Sequence, residues 1–101
     1  MKTIIDNRIY DTETATLIAS NSNGYPVNDF RYSEECLYQK KNGEYFLYGH
    51  GGALSRYAKQ RGNDLIGGYR ILKVTLEQAK RWASRHMSVD TYIKQFGTLT
   101  E

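Results

Sequence analysis

The sequence predicts an α+β domain: a small antiparallel sheet followed by helices gathered mostly towards the C-terminus. Three observations predict it. Asn42-Gly43, set between the strand-favouring runs Cys36 to Lys40 and Tyr45 to Tyr48, marks a β-hairpin. Tyr69 to Val74 alternates as a half-covered strand does. Thr75-Leu76-Glu77-Gln78 is a capping-box pattern, which opens a helix. Strands first and helices afterwards give the α+β class rather than a wound parallel sheet.

Each element has a local reason. Thr3-Ile4-Ile5 and Arg8-Ile9-Tyr10 favour strands, and Asp6-Asn7 between them is turn chemistry, so an N-terminal hairpin is expected. Asp11 to Ala15 reads as a turn and Thr16 to Ala19 as a strand, followed by a loop over Ser20 to Asp29 that holds the only Pro. The central hairpin, 36–49, is expected to turn on two residues, which pairs Lys40 with Tyr45 and Tyr38 with Leu47. Both of its faces are half apolar, so it should be covered on each side. Gly49-His50-Gly51-Gly52 then reads as a break, and Ala53 to Gln60 as a short helix stopped by Arg61-Gly62-Asn63-Asp64. After the 69–74 strand come a helix to about His86, with Leu76, Ala79, Trp82, Ala83 and Met87 inward, and a last helix, Val89 to Phe96. Val89, Tyr92, Ile93 and Phe96 follow the apolar spacing of a covered helix face, and Gly97 closes it. About three helices are thus expected.

Composition bounds the function only coarsely. The 101 residues, 40% apolar and 25% charged, suit one domain spanning 1–101 with a modest core. One Cys leaves no intrachain disulfide, and with no leader segment expected, a reducing cytoplasmic compartment follows. No apolar run approaches the roughly 20 residues that span a bilayer, so no membrane partner is expected. Formal net charge is +3, but it is unevenly spread. Residues 1–35 carry a net −3 and residues 36–101 a net +6, and Arg56 to Arg85 alone holds eight bases against two acids. Such a run suits either a solvated face or an anionic partner. The nine Tyr likewise suit either a small sheet that completes its core with Tyr or a contact surface.

Catalytic patterns are missing. Gly49-His50-Gly51-Gly52-Ala53 lacks the Lys-Ser/Thr pair of a phosphate-binding loop, and no G-x-S-x-G nucleophile elbow accompanies it. Cys36, His50 and His86 show no metal-ligand spacing, and Cys36 is expected in a covered strand position where a thiol is inert. Glu34 and Glu35 are adjacent, so on a strand they point to opposite faces and do not cooperate. The reading is therefore a binder with no catalytic residue, no cofactor and no metal. Its contact candidates are Arg81 and Arg85, which are i, i+4 neighbours, with Lys80 beside them; Arg56, Lys59 and Arg61 as a second patch on the preceding helix; and Arg70, Tyr45 and His50. Arg70 and Lys73 lie on opposite strand faces, so only one of them can join either patch. No helix-turn-helix, zinc-finger or RNP pattern is present, so base-specific reading by those modules is not implied.

A wider resemblance covers nearly the whole chain in order. It is carried by Tyr10 to Ala15, Tyr38 to Gly49, Gly51-Gly52-Ala53, Ser55 to Ala58, Gly67-Gly68, Leu76 to Ala83 and Tyr92 to Gly97. In these segments the chain resembles a family of small orphan proteins encoded by phages, prophages and mobile elements of Gram-positive bacteria. Proteins of this size and habit include anti-CRISPR inhibitors. The resemblance implies a stoichiometric blocker of a type II CRISPR–Cas effector nuclease in the host cytoplasm, acting on the effector, its guide RNA or its DNA-binding surface. Its motifs are structural and carry over no site residue. Many such inhibitors are acidic DNA mimics, and relatives carry acidic residues near His50 and along the Trp82 helix. This chain has Lys80, Arg81 and Arg85 there, which favours contact with RNA or an acidic protein patch. The alternatives are a basic nucleic-acid-binding phage accessory protein and a small enzyme built on the His50 loop. The sequence sets no oligomeric state.

Overall fold

The computed structural model describes residues 1–98 and is of the α+β class. Strands β1 (Lys2–Ile5) and β2 (Arg8–Asp11) form the N-terminal hairpin. Its turn residues Asp6 and Asn7 both take positive φ, 52° and 63°, the geometry of a two-residue type I′ turn. Strands β3 (Thr16–Ser22), β4 (Ser33–Gln39), β5 (Tyr45–Gly51) and β8 (Gly68–Val74) make a four-stranded antiparallel sheet in the order β3-β4-β5-β8. Strands β6 (Lys59–Arg61) and β7 (Asp64–Ile66) form a third, separate hairpin. Helices α1 (Leu76–His86) and α2 (Val89–Phe96) follow. The strand expected over Thr16 to Ala19 runs on to Ser22, three residues into the expected loop.

The central hairpin forms, with a different turn. Gly43 N donates to Lys40 O at 2.9 Å and Lys40 N to Glu44 O at 2.7 Å, which makes a three-residue loop with Gly43 left-handed at φ +94°. Asn42 keeps a negative φ and uses its side chain instead, accepting from Glu44 N at 3.0 Å. The pairing therefore shifts by one residue from expectation: Gln39 faces Tyr45, Tyr38 faces Phe46 and Leu37 faces Leu47. This register decides both faces of the sheet. One carries Glu35, Leu37, Tyr45, Leu47, Gly49, Arg70, Leu72 and Val74; the other carries Glu34, Cys36, Tyr38, Phe46, Tyr48, His50, Tyr69 and Ile71.

Both faces are covered. Helix α1 lies on the first, where Leu37, Ala79 and Ala83 are fully buried with Tyr45, Trp82 and Tyr92 around them. The two Ala let the helix approach closely, and the Thr75–Gln78 capping box starts it, with reciprocal bonds of 3.1 and 2.8 Å. The N-terminal hairpin lies on the second face, where Tyr10 meets the fully buried Phe46 edge-on at 5.6 Å and Ile71 packs beside them. Burying a side chain such as Phe46 contributes roughly 1.5–3 kcal/mol. Leu76 and Val89, expected inward, are the first residues of their helices and are 51% and 65% exposed, and Ile93 is exposed too.

The third expected helix does not form. Residues 53–58 are successive tight turns, held by Leu54 N to Phe30 O at 2.8 Å, Ser55 N to Gly52 O at 3.1 Å and Ala58 N to Ser55 O at 3.1 Å. Gly49 to Gly51, expected to break the strand, continue β5 and pair with Ser33 to Glu35. Those glycines answer close packing instead. A Cβ at Gly49 would fall inside the Tyr57 ring, and one at Gly52 would meet Phe30 O at 2.5 Å. Gly49→Ala is thus expected to displace Tyr57 and destabilise the protein by about 1–3 kcal/mol. Denaturant unfolding checks it: Gly49→Ala in a Tyr57→Ala background should add much less than in the wild type.

Candidate functional site

The structure is informative where α1 and the 53–58 turns leave a gap above the first sheet face. The hollow between them holds about 240 Å³. Leu47, Leu72 and Glu35 form its floor, Arg81, Trp82, Arg85 and His86 of α1 one wall, and Arg56 the other. The spacing i, i+3, i+4, i+7, i+8 from Gln78 puts all the α1 lining residues on one helix face. Arg81 and Arg85, predicted as a pair, are therefore brought together with Arg56, predicted for a separate patch.

Glu35 organises this gap. One carboxylate oxygen, Oε1, accepts from Trp82 Nε1 at 3.1 Å. The other accepts from the Tyr57 hydroxyl and lies 3.5 Å from the Arg56 guanidinium. Burial alone would raise the Glu35 pKa, but the Tyr57 and Trp82 hydrogen bonds and the Arg56 charge outweigh it and hold the carboxyl below its ordinary value. Burial and then the Glu35 carboxylate push the Tyr57 phenol up, so it stays a donor. The Tyr57 ring also anchors two cations, with the guanidinium carbons of Arg70 and Arg56 at 5.5 and 5.6 Å from its centroid. Further along, Lys59 Nζ sits 4.4 Å from the Tyr69 centroid.

The other predicted contact residues fall elsewhere. Lys59 and Arg61 are on the β6–β7 hairpin, not on a helix, because the chain there pairs across a Gly62 turn at φ +62°. Lys80 is half-buried on another side of α1 and does not line the hollow. Tyr45, expected in the contact surface, is core, and its hydroxyl accepts from Gln95 at 2.7 Å. His50, expected on an exposed loop, is a half-buried residue of β5 on the opposite sheet face, where its Nε2 lies 3.1 Å from Glu34 Oε1. Glu34 and Glu35 do point to opposite faces, as expected.

Cys36 shares the His50 face and the same Glu34 oxygen. Its thiol lies 3.6 Å from Ser20 Oγ and 3.7 Å from Glu34 Oε1, and burial pushes its pKa up. A thiol beside a carboxylate is a poor nucleophile. Among the described residues no group of three His, Cys, Asp or Glu is placed to hold a metal ion, and no helix is long and apolar enough to cross a membrane. A larger hollow of about 480 Å³ lies near Tyr10 and Val74, but its charged residues Glu44 and Lys73 already pair with Arg8, Lys40 and Asp6. The arginine-lined hollow is smaller and chemically open. Comparison of the chain with protein-family models, characterised proteins and solved structures brings no match.

Sequence reasoning missed Glu35 and Tyr57 as the organisers of the site. The available signal was a carboxylate in the middle of an otherwise coverable strand. Two outcomes are expected. Glu35→Gln should lose roughly 1–3 kcal/mol at neutral pH, because the charge-assisted bonds from Tyr57 and Trp82 weaken. The Glu35 pKa is lowered on folding, so its stabilisation is present above the unfolded value of about 4.5 and fades as pH falls below it. Unfolding curves of wild type and variant should therefore converge in acid. Cys36 should react with a thiol reagent roughly tenfold or more slowly in the native than in the unfolded chain at mildly alkaline pH.

Proposed function

We propose that this protein acts by binding rather than catalysis, and that its arginine-lined face grips the phosphate backbone of a nucleic acid. The carrying observation is how the charges are partnered. Arg31 and Lys73 each pair with a carboxylate of their own, Asp29 and Asp6, and Arg8 and Lys40 share Glu44. Arg70, Arg81 and Arg85 have no ion pair among the described residues, and Arg56 shares a carboxylate that Tyr57 and Trp82 already hold. Guanidinium forks spaced along a shallow groove suit the oxygens of successive phosphates. Burial raises the Cys36 thiol pKa, which disfavours nucleophilic chemistry at the single cysteine.

The resemblance to phage-encoded orphan proteins gives that nucleic acid a setting. In this proposal the chain is a prophage-type anti-CRISPR protein that inhibits a type II effector nuclease stoichiometrically, by holding its guide RNA. Cationic side chains along α1 argue against mimicry of DNA. Arg81→Ala with Arg85→Ala should weaken RNA binding and flatten the slope of log affinity against log salt by about 1.5. Arg81→Glu with Arg85→Glu should abolish protection of the effector in a cleavage assay. A folded double variant with unchanged affinity and slope would reduce the groove to a solvated face. Tight RNA binding with no effect on cleavage would leave a nucleic-acid-binding accessory protein in place of the inhibitor.

A further inference from the structure

The β6–β7 hairpin has no part in either packed face. All six of its strand residues are exposed, and only Lys59 at its base leans back on the body, with its Nζ 4.4 Å from the Tyr69 centroid. Leu65 is 55% exposed, an apolar side chain held in water on a ribbon too short to be stable alone. What fixes the ribbon is its root. A Cβ at Gly67 would meet Gly51 O at 2.8 Å and one at Gly68 would meet Tyr57 O at 2.5 Å, so this backbone lies flat on β5 and the 53–58 turns. The ribbon therefore leaves the body beside Tyr57, at the end of the arginine-lined face.

Its tip, Gln60-Arg61-Gly62-Asn63, carries two amides and a guanidinium around one tight Gly turn, with Gln60 Nε2 donating to Gly62 O at 3.3 Å. Arg61 stands across the ribbon from Asp64 without forming an ion pair with it. Amides and guanidinium groups are the side chains that make paired hydrogen bonds to adenine and guanine edges, and an apolar side chain such as Leu65 suits a thymine methyl. A two-stranded ribbon fits the major groove of B-form DNA, whereas the A-form major groove is too deep and narrow to admit it. We propose that β6–β7 is a recognition arm that enters the major groove of a DNA duplex, while Arg56 and Arg70 at its root rest on the flanking phosphates. This adds a duplex contact to the backbone-gripping face and rests on that face being anion-binding.

The test uses the full chain and the exposed substitutions Gln60→Ala, Arg61→Ala and Asn63→Ala together, with circular dichroism to confirm folding. Fluorescence anisotropy is read on a short DNA duplex, an RNA duplex of the same sequence and a single-stranded RNA. The wild type should bind the DNA duplex, and the variant should lose roughly tenfold or more there but less than about threefold on single-stranded RNA. An arm variant that binds DNA duplex like the wild type, or loses equally on all three probes, overturns the arm alone. So does a wild type that binds only RNA. A wild type that binds none of the three removes the backbone-gripping face and the arm together.

Discussion

The protein depends on one half-buried charge. Glu35 sits on an apolar sheet face, where an ionised carboxylate is costly unless hydrogen bonds and an opposite charge compensate it. Trp82 from α1, Tyr57 from the 53–58 turns and Arg56 beside it supply them. The same contacts tie the helix and the turn segment to β4, so the width of the gap between them follows from the bonds around one side chain. Gly49 has to be a glycine because the Tyr57 ring occupies the place of its Cβ. Arg56 is drawn inward by Glu35, which brings it opposite Arg81 and Arg85. A groove that sets the Glu35-paired Arg56 against Arg81 and Arg85 thus grows out of the neutralisation of a single anion.

Strand alternation then separates two chemistries. Glu34 and Glu35 are neighbours in sequence, yet one holds His50 among tyrosine rings and the other holds the indole and phenol under α1. The N-terminal hairpin neutralises Lys73 on its own side through Asp6, while Arg70, one pleat away from its neighbours, stays on the arginine side. A net charge of +3 is small, but alternation along β8 puts Lys73, paired with Asp6, and Arg70, which has no ion pair among the described residues, on opposite faces of the sheet.

What was legible in the sequence was whatever local chemistry determines. The Asp6-Asn7 turn, the 69–74 alternation, the Thr75–Gln78 capping box and the Gly97 helix end each act over a few residues, and all appear where expected. Asn42-Gly43 announced a hairpin but not its register, since Asn-Gly serves both a two-residue turn and a three-residue loop. Ala53 to Gln60 reads as helix in the sequence because the pull on its turns comes from Glu35, twenty-two residues back in Tyr57's case. Tyr45 and His50 were misplaced for the same reason: Tyr and His suit covered and open positions alike, and only the register decides. Arg81 and Arg85 were legible as a pair from helical spacing, but their meeting with Arg56 is tertiary.

The indole that donates to Glu35 is the chain's single tryptophan, and it lies against His86 at 4.9 Å between ring centroids. Its emission consequently originates wholly in the wall of the arginine-lined groove. Protonation of the carboxylate, loss of the Tyr57 bond or arrival of an anion beside Arg81 all alter the polarity around that one fluorophore. The protein carries an intrinsic optical reporter at the place where its chemistry is concentrated, without any label being attached.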